Sequence, residues 1–277
     1  MMSFFICPLC GSTLEGDKTL KCINGHSFDR AKSGYVNLLS GKGGNHGDPK
    51  EMVIARRDFL DSGYYEEFAD VLCDAVMKYS PDNARILDCG CGECYYTKRI
   101  ADAFNNESRH ALFAGIDVSK DAVNYGAKRF RECELAAASV YAMPVADQSV
   151  DTVISVFAPA ALEEFHRVLK PGGYLLMAIG SRNHLWSLKK AVYDTPYKNE
   201  PSEYTLDGFK FIKSIPCSYN ITLKTNKDIL DLFSMTPYYH KTSKSDIAKL
   251  NSFDTLETEV DFEILVYSKN EKLRNGN

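Results

Sequence analysis

Four residues near the amino terminus have the identity and spacing of metal ligands. They form a Cys-x2-Cys pair and a Cys-x3-His pair, with eleven residues between the two pairs. Structural zinc sites use four thiolate or imidazole ligands in a tetrahedral arrangement, and two short knuckles supplying two ligands each are typical of them. The segment between the pairs is too short to be held by hydrophobic burial alone, so a bound metal would stabilise it. The predicted Zn2+ ligands are Cys7, Cys10, Cys22 and His26.

A second stretch, residues 84–98, has the pattern of a cofactor-binding turn. A short apolar run ends in Asp88, a turn with Gly90 and Gly92 follows, and a helical pattern begins at Tyr95. Glycines let the backbone approach a ligand closely, and the first turn of a helix presents free N–H groups to it. This D-x-G-x-G pattern differs from the G-x-G-x-x-G pattern of dinucleotide-binding proteins.

Asp117 is a second acidic residue with a place in this site. It directly follows the apolar run 112–116, which predicts the next strand of the same sheet. A carboxylate at the end of the second strand suits the two hydroxyl groups of a ribose. The two strand ends therefore predict a cofactor that contains a nucleoside.

Composition limits the class of protein. The chain has 277 residues, 44% of them hydrophobic, which suggests one large domain with additions or two domains. No apolar run reaches the ~18 residues of a membrane span, and no signal-peptide pattern is present, so we expect a cytoplasmic protein. Nine cysteines then favour metal binding or packing over disulfides. The net charge of −4 disfavours a wholly basic surface, yet residues 181–250 carry 11 Lys and Arg against 7 Asp and Glu, which permits a local RNA-binding surface.

The residues around these sites predict the elements that position them. Residues 50–79 predict two helices interrupted near Ser62, each with one apolar stripe. The alternation over 260–267 predicts a strand that pairs with and completes the sheet. Between them, 181–250 is rich in Lys and Tyr, which suits RNA contacts and base stacking; an ordinary helical cap over the pocket fits as well.

Three later segments extend the pattern of the cofactor turn. They are YAMPVADQSVDTVIS (141–155), EEFHRVLK (163–170) and PGGYLLMAI (171–179). In this order and spacing, the chain resembles class I S-adenosylmethionine-dependent methyltransferases. The resemblance implies an α/β fold with a Rossmann-like sheet and helices on both faces, with S-adenosylmethionine as the cofactor. The implied cofactor-binding positions include Asp88, Gly90, Gly92 and Asp117.

A narrower resemblance covers nearly the whole chain. The zinc knuckles, FDRAKSGYVNLL, DPKEMVIARRDFLDSGYY, APAALEEFHRVLKPGGYLL and the MTPYYHK segment are similar to the bacterial 23S rRNA guanine-N1 methyltransferases. The combination is specific because most class I methyltransferases have no amino-terminal zinc module. It implies methylation of N1 of a guanine in a domain II hairpin of 23S rRNA, with that rRNA as partner and a homodimer as the assembly.

The resemblance assigns further residues by position. It places cofactor contacts on Tyr65 and His184, and on Tyr96 and Thr97 after the glycine turn, and it supports the four zinc ligands. Taken alone, Tyr65 is a packed aromatic and His184 a surface histidine. Phe157 follows the fourth strand of the methyltransferase pattern and is a candidate for stacking on a flipped guanine, or a core residue.

The expected division of the chain follows from these assignments. A zinc-binding RNA-recognition module occupies 1–36. A linker and helical lead-in occupies 37–80, and its glycine-rich part, 40–50, is expected to be flexible. The methyltransferase domain occupies 81–277 and contains the insertion 181–250.

Two departures from family patterns bear on function. Cys94 stands where the turn usually has a third glycine, and its side chain either narrows the pocket or points away from it. The chain has SVFAPA where other methyltransferases carry Asn/Asp-Pro-Pro-Tyr for exocyclic amino groups, which fits a ring-nitrogen target.

Other functions stay open at this stage. The methyltransferase core would also serve a tRNA or small-molecule enzyme, and a degenerate core would leave a non-catalytic zinc RNA-binding protein. The residues identify neither the target guanine nor a catalytic base. They also do not decide between the branches of the family, one of which is associated with macrolide resistance.

Overall fold

The amino-terminal module is built on a small pair of strands beside the metal knuckles. The computed structural model describes residues 3–39, 47–201 and 203–270; the predicted linker 40–50 lies largely outside them. Strand β1 (Thr19–Lys21) pairs antiparallel with β2 (Ser27–Asp29), and the Cys22–His26 knuckle is the turn that joins them.

Eight strands of the described residues form one mixed sheet. They are β3 (Val36–Asn37), β4 (Ala84–Cys89), β5 (Ala111–Asp117), β6 (Glu134–Ala137), β7 (Val150–Val156), β8 (Leu169–Gly180), β9 (Phe209–Leu223) and β10 (Leu256–Lys269). Their spatial order is β3-β6-β5-β4-β7-β8-β10-β9, with β3 to β8 parallel and the last two antiparallel to their neighbours. The order of strands reverses at β4. Open α/β sheets bind ligands at the carboxyl ends of the strands beside such a reversal.

Helices cover both faces of this sheet, as the sequence predicts. They are α1 (Lys50–Asp61), α2 (Glu66–Tyr79), α3 (Tyr95–Asn106), α4 (Lys120–Arg129), α5 (Leu162–Val168), α6 (Trp186–Val192), α7 (Asn226–Ser234) and α8 (Lys244–Ala248). Successive strand residues face opposite sides. Ile86 packs in the core formed with α1 to α4, α6 and α7, whereas Leu87 packs in the core formed with α5 and the zinc module. Among the described helices, none has the length and apolar character needed to cross a membrane.

The zinc module is packed against the methyltransferase sheet. Phe4, Phe5 and Leu20 of the module are buried in the same core as Leu87 of β4. Strand β3, which ends the module, is also the first edge strand of the large sheet, where Val36 lies beside Ala136 of β6. The module and the sheet therefore share a hydrophobic core.

Segment 181–250 contributes more to the sheet than the sequence indicates. The predicted strand at 260–267 is confirmed and is longer, as β10. The segment before it supplies α6 and α7, and also β9, an edge strand that pairs antiparallel with β10. Most side chains of β9 are exposed or half-buried, so its sequence lacks the apolar alternation that marks a strand.

Candidate cofactor site and zinc site

The four predicted metal ligands converge on one point. Their donor atoms all lie within 4.8 Å of one another. The Sγ atoms of Cys7 and Cys22 each lie 3.4 Å from Nδ1 of His26, and those of Cys10 and Cys22 are 3.7 Å apart. A tetrahedral zinc ion with ordinary bond lengths needs sulfur–sulfur edges of about 3.8 Å and sulfur–nitrogen edges of about 3.5 Å. The identity of the four donors and the three short distances between them therefore fit a structural zinc ion.

The backbone of each knuckle explains the ligand spacing. The N–H of Gly11 donates to the carbonyl of Cys7, and the N–H of Gly25 donates to that of Cys22. Both glycines have positive φ, +72° and +83°, which closes a tight turn at low steric cost. Each pair of ligands is thereby fixed by a local turn, and the β1–β2 pairing connects the two turns.

The cofactor turn follows β4 and is tied to the end of β5. The N–H groups of Gly90 and Cys91 both donate to the carbonyl of Ile116, at 2.8 and 3.0 Å. Gly90 has φ +82°, and a Cβ there would lie only 2.4 Å from Cβ of Ala158. A glycine is therefore required at this position by both conformation and space, because the turn after β7 passes directly over it.

Asp117 is anchored at the edge of the turn. Its carboxylate accepts the N–H of Gly92 at 3.0 Å and that of Ser119 at 2.8 Å. Burial raises its pKa, and these two hydrogen bonds oppose the rise. A Cβ built on Gly92 would meet no heavy atom of the described residues within 4 Å, so the space beside the turn is open. Each carboxylate oxygen keeps a lone pair for a ribose hydroxyl.

Asp88 is more deeply buried than Asp117, and only one of its two carboxylate oxygens has a hydrogen-bond partner among the described residues. Its Oδ2 accepts the hydroxyl of Thr97 at 2.6 Å, whereas its buried Oδ1 has no hydrogen-bond partner among the described residues. Burial raises the pKa of Asp88 to about 7, with the bond from Thr97 opposing the rise. The hydroxyl of Thr97, itself fully buried, is thus committed to Asp88. An unpartnered buried oxygen at the carboxyl end of a strand is suited to accept a ligand N–H or O–H.

Four of the predicted site residues meet in one aromatic cluster. Ring centroids of Tyr65, Phe157 and His184 lie 5.1, 4.6 and 4.2 Å from that of Phe262. Tyr96 joins through Phe68, at 5.5 Å, and its buried hydroxyl has no partner among the described residues. The cluster thus brings together residues from distant parts of the chain.

His184 is a neutral member of this cluster. It is 9% exposed, and burial lowers its pKa to about 3, with the charge of Lys189 acting in the same direction. Its Nδ1 accepts the backbone N–H of Asp261 at 3.3 Å, so the neutral ring carries its proton on Nε2. The ring can therefore donate one hydrogen bond at neutral pH and bears no positive charge toward a ligand.

Phe157 has a left-handed backbone conformation at the carboxyl end of β7. It directly follows β7 and has φ +54°, a left-handed conformation that costs a non-glycine residue roughly 1–2 kcal/mol. Its side chain is 44% exposed while one side of the ring packs on Phe262. An exposed aromatic face held in a strained backbone at the carboxyl edge of the sheet is a suitable platform for a planar ligand.

Cys94 adopts the conformation of the glycine that it replaces. It has φ +64° and is fully buried. A Cβ on Gly126 of α4 would lie 2.7 Å from its sulfur, so the thiol packs against α4 and away from the open space beside Gly92. The second of the two possibilities raised by the sequence is the one observed.

Sequence reasoning does not identify Phe68 and Phe262. Each looks like an ordinary apolar position, Phe68 on the stripe of α2 and Phe262 in the alternation of β10. Only the packing of α2 on the middle of β10 brings their rings to 4.7 Å from one another. The hydroxyl of Ser155, buried and without a partner in the described part of the chain, is a third residue without a sequence signal.

Comparison with protein families identifies both parts of the chain. A family model described as "Methyltransferase domain" matches residues 80–234. A zinc-ribbon model described as "RlmA, N-terminal" matches residues 5–42. The two matches cover the cofactor turn and the four predicted metal ligands, respectively. They agree with a domain that uses S-adenosylmethionine and a module that binds zinc.

Curated relatives extend this similarity. The chain is 30% identical over 278 residues to a putative 23S rRNA (guanine-N(1)-)-methyltransferase of Bacillus subtilis, covering 96% of this chain and 98% of the relative. It is 37% identical over 199 residues to a putative enzyme of the same description from Micromonospora griseorubida, covering 66% and 67%. It is 34% identical over 196 residues to the 23S rRNA (guanine(748)-N(1))-methyltransferase of Streptomyces fradiae, covering 69% of each.

Solved structures support the fold. The YcgJ protein of Bacillus subtilis superimposes with a TM-score of 0.50 at 15% sequence identity, covering 74% of this chain and 98% of that protein. At this identity the similarity concerns the arrangement of strands and helices alone.

Proposed function

The chain belongs to the family of 23S rRNA (guanine-N1)-methyltransferases, and on that premise we propose that it transfers a methyl group from S-adenosylmethionine to N1 of a guanine in a domain II hairpin of 23S rRNA. The observation that carries the proposal is the packing of a zinc-ribbon module onto a methyltransferase sheet within one chain. Small-molecule and tRNA methyltransferases that share the sheet do not account for this module.

The cofactor site is proposed to extend from Asp117 to the aromatic cluster. Asp117 would accept the ribose hydroxyls, while Gly90 and Gly92 let the backbone approach the ligand. Asp88 would accept a ligand proton through its unpartnered Oδ1, and Thr97 would hold that carboxylate in place. These roles are supported by the open space beside Gly92 and by the orphaned buried oxygen.

The aromatic cluster is proposed to hold the remainder of the cofactor and the acceptor base. Tyr65, Tyr96 and His184 would contact the cofactor, Tyr96 through its unpartnered hydroxyl and His184 through Nε2–H. The exposed face of Phe157 would stack on a guanine flipped out of the hairpin. A neutral His184 fits a site for a cationic cofactor because it adds no positive charge there.

Methyl transfer depends mainly on placement of the acceptor. S-adenosylmethionine supplies an electrophilic methyl group on a sulfonium centre. The chain's own contribution is to bring the guanine N1 to about 3 Å from that carbon, in line with the leaving sulfur. Stacking on Phe157 would restrain the plane of the base, and the apolar rings around it would limit the access of water. Guanine N1 carries a proton at neutral pH, which has to leave to a nearby acceptor.

The zinc module is proposed to recognise RNA. Four protein ligands fill the tetrahedral coordination of zinc and leave no open position for catalysis. The proposed domains are a recognition module over 1–36, a linker and helical lead-in over 37–80, and a methyltransferase domain over 81–277. The methyltransferase domain contains the insertion 181–250.

A homodimer in the cytoplasm is the proposed working form. Light scattering at the assay concentration tests the assembly, and a monomeric mass would contradict it.

The activity can be tested with purified components. The protein is incubated with S-adenosylmethionine and an unmodified transcript of 23S rRNA domain II, and the nucleosides are analysed by mass spectrometry. We expect 1-methylguanosine from this transcript and none from a tRNA pool or from a transcript of another 23S rRNA domain. Methylation of tRNA in preference to the transcript would contradict the proposal.

A further inference from the structure

A cleft lies between the zinc module and helix α4, away from the cofactor turn. It encloses about 740 Å³ and is lined by Lys32 and Ser33 from the module, and by Asn124, Ala127, Lys128 and Arg131 from α4 and the residues after it. No acidic side chain is among the lining residues.

The charges of this cleft are available to a ligand. Lys32, Lys128 and Arg131 are exposed, and within the described part of the chain none of them forms a salt bridge or hydrogen bond through its side chain. Arg129, which lies between Lys128 and Arg131, by contrast binds Glu93 and Asp61. The cleft also contains the hydroxyl of Ser33, which is buried and has no partner among the described residues.

The topology of the sheet explains why these cations come together. Lys32 and Ser33 lie in the turn before β3, and Lys128 and Arg131 lie at the end of α4 before β6. Since β3 and β6 are parallel neighbours, with Val36 beside Ala136, the segments that enter them meet at the same edge of the sheet. Arg30 fixes the turn by donating to the carbonyl of Gly34 and to the carboxylate of Glu134.

Helix α4 connects this cleft with the cofactor site. Lys120, Asn124 and Lys128 are spaced four residues apart and share one face of the helix. Ser119, which caps the helix, donates its backbone N–H to Asp117, the proposed ribose acid. A ten-residue helix is about 15 Å long, so the face leads from the cofactor edge to the cleft over a distance that an extended nucleic-acid strand can span.

We propose that this cleft binds the phosphodiester backbone of the substrate RNA. Three exposed cations without salt bridges in the described part of the chain match phosphate oxygens, which accept hydrogen bonds and carry negative charge. The Nζ of Lys128 also lies 5.4 Å from the centroid of the Tyr125 ring. The inference rests on the proposed rRNA methyltransferase function and adds a binding site that positions the strand between the zinc module and the catalytic edge. An extended polyanion is the ligand that the linear arrangement along α4 fits, because a compact anion would occupy only the cleft.

The test removes the three charges together. The variant Lys32→Ala, Lys128→Ala, Arg131→Ala is compared with the control Lys50→Ala, Lys78→Ala, which removes two exposed lysines of α1 and α2, outside both the cleft and segment 181–250. A third protein, Lys32→Arg, Lys128→Arg, Arg131→Lys, retains the charges. For each, the Kd for the domain II hairpin is measured by fluorescence anisotropy at several salt concentrations, and the Kd for S-adenosylmethionine by calorimetry.

The cleft variant should bind the hairpin about tenfold or more weakly at moderate salt. A plot of the logarithm of the association constant against the logarithm of the salt concentration should become less steep by about 2. The reason is that three phosphate contacts are lost, and each contact on single-stranded RNA contributes about 0.7 to the slope. Cofactor affinity and the melting temperature should match the control, and the charge-retaining protein should keep the wild-type slope. Equal hairpin affinity and slope in the cleft and control variants would overturn the inference.

The outcome also separates this inference from the proposed function. If the wild-type protein methylates the transcript and the cleft variant binds the hairpin as the control does, only the proposed RNA-binding role of the cleft is refuted. A wild-type protein that neither binds nor methylates the transcript refutes both.

Discussion

The imidazole ring of His184 lies with its centroid 4.2 Å from that of Phe262, and the two rings are inclined by 36°. His184 follows β8, whereas Phe262 lies in β10, the antiparallel strand that pairs with β8. Phe262 also contacts Tyr65 and Phe157, so the strand after segment 181–250 forms the centre of the proposed substrate pocket. A residue without polar atoms thereby determines where three proposed ligand-contacting side chains lie.

Replacement of Phe262 should therefore affect ligand binding more than replacement of another buried aromatic. Phe262→Leu and the control Phe165→Leu, on the opposite face of the sheet, should each reduce the free energy of unfolding by about 1–2 kcal/mol. Only Phe262→Leu should also weaken S-adenosylmethionine binding, by about three- to tenfold, because the aromatic contacts to Tyr65 and His184 are lost. Equal cofactor affinity in the two variants, measured by calorimetry, would contradict this role.

The buried carboxylate of Asp88 should make stability depend on pH. Its folded pKa of about 7 lies above the value of about 3.9 in the unfolded chain, so the folded state binds more protons between these values. The contribution of Asp88 to stability is therefore fully present below about pH 4 and is lost as the pH rises through 7. Asp88→Asn removes this contribution while its amide oxygen can still accept the hydroxyl of Thr97.

Urea unfolding without cofactor at pH 5 and pH 8 checks this expectation. The wild-type protein should lose more stability than Asp88→Asn between the two pH values, by on the order of 1–3 kcal/mol. Glu93, whose pKa burial raises to about 8, contributes in the same direction in both proteins and cancels in the difference. Identical losses in the two proteins would show that Asp88 is not protonated in the folded state near pH 5.

Alanine substitutions at Gly90 and Gly172 distinguish the cost of an unfavourable backbone conformation from the cost of a steric clash. Both have positive φ, +82° and +73°. A Cβ at Gly172 meets nothing within 4 Å in the described structure, whereas one at Gly90 would collide with Ala158 at 2.4 Å. Gly172→Ala should cost about 1–2 kcal/mol of stability and leave cofactor affinity unchanged. Gly90→Ala should cost more and abolish measurable cofactor binding, because the turn has to move; unchanged affinity in calorimetry would contradict the proposed position of the cofactor.

Loss of zinc should lower the stability of the whole protein and not only that of the zinc module. Because Phe4, Phe5 and Leu20 share a core with β4, we expect Cys22→Ser to lower the zinc content from one ion per chain and to reduce the melting temperature of the whole protein. Cys73→Ser, a buried cysteine on α2, is the matched control and should keep one zinc ion. Elemental analysis and thermal unfolding measure both quantities. A zinc-depleted protein with an unchanged melting temperature would show that the module folds apart from the sheet.

The features of both sites that depend on neighbouring residues could be predicted from the sequence. The ligand knuckles, the turn with Gly90 and Gly92, and the acid at Asp117 each depend on neighbours within a few residues, and the structure shows all of them in the predicted elements. The parts that could not be predicted depend on contacts between distant segments. Phe262 has no chemical signal of its own, and β9 lacks alternation because most of its side chains are exposed. The shared core of module and sheet arises only when β3 pairs with β6.

The central claim is that this chain methylates N1 of a guanine in 23S rRNA. Primer extension across domain II, using rRNA from cells with and without the gene, tests it most directly because N1 methylation blocks Watson–Crick pairing and stops reverse transcriptase. We expect one stop that disappears on deletion of the gene and returns when the wild-type gene is restored. An unchanged pattern of stops, in cells shown to contain the protein, would contradict it.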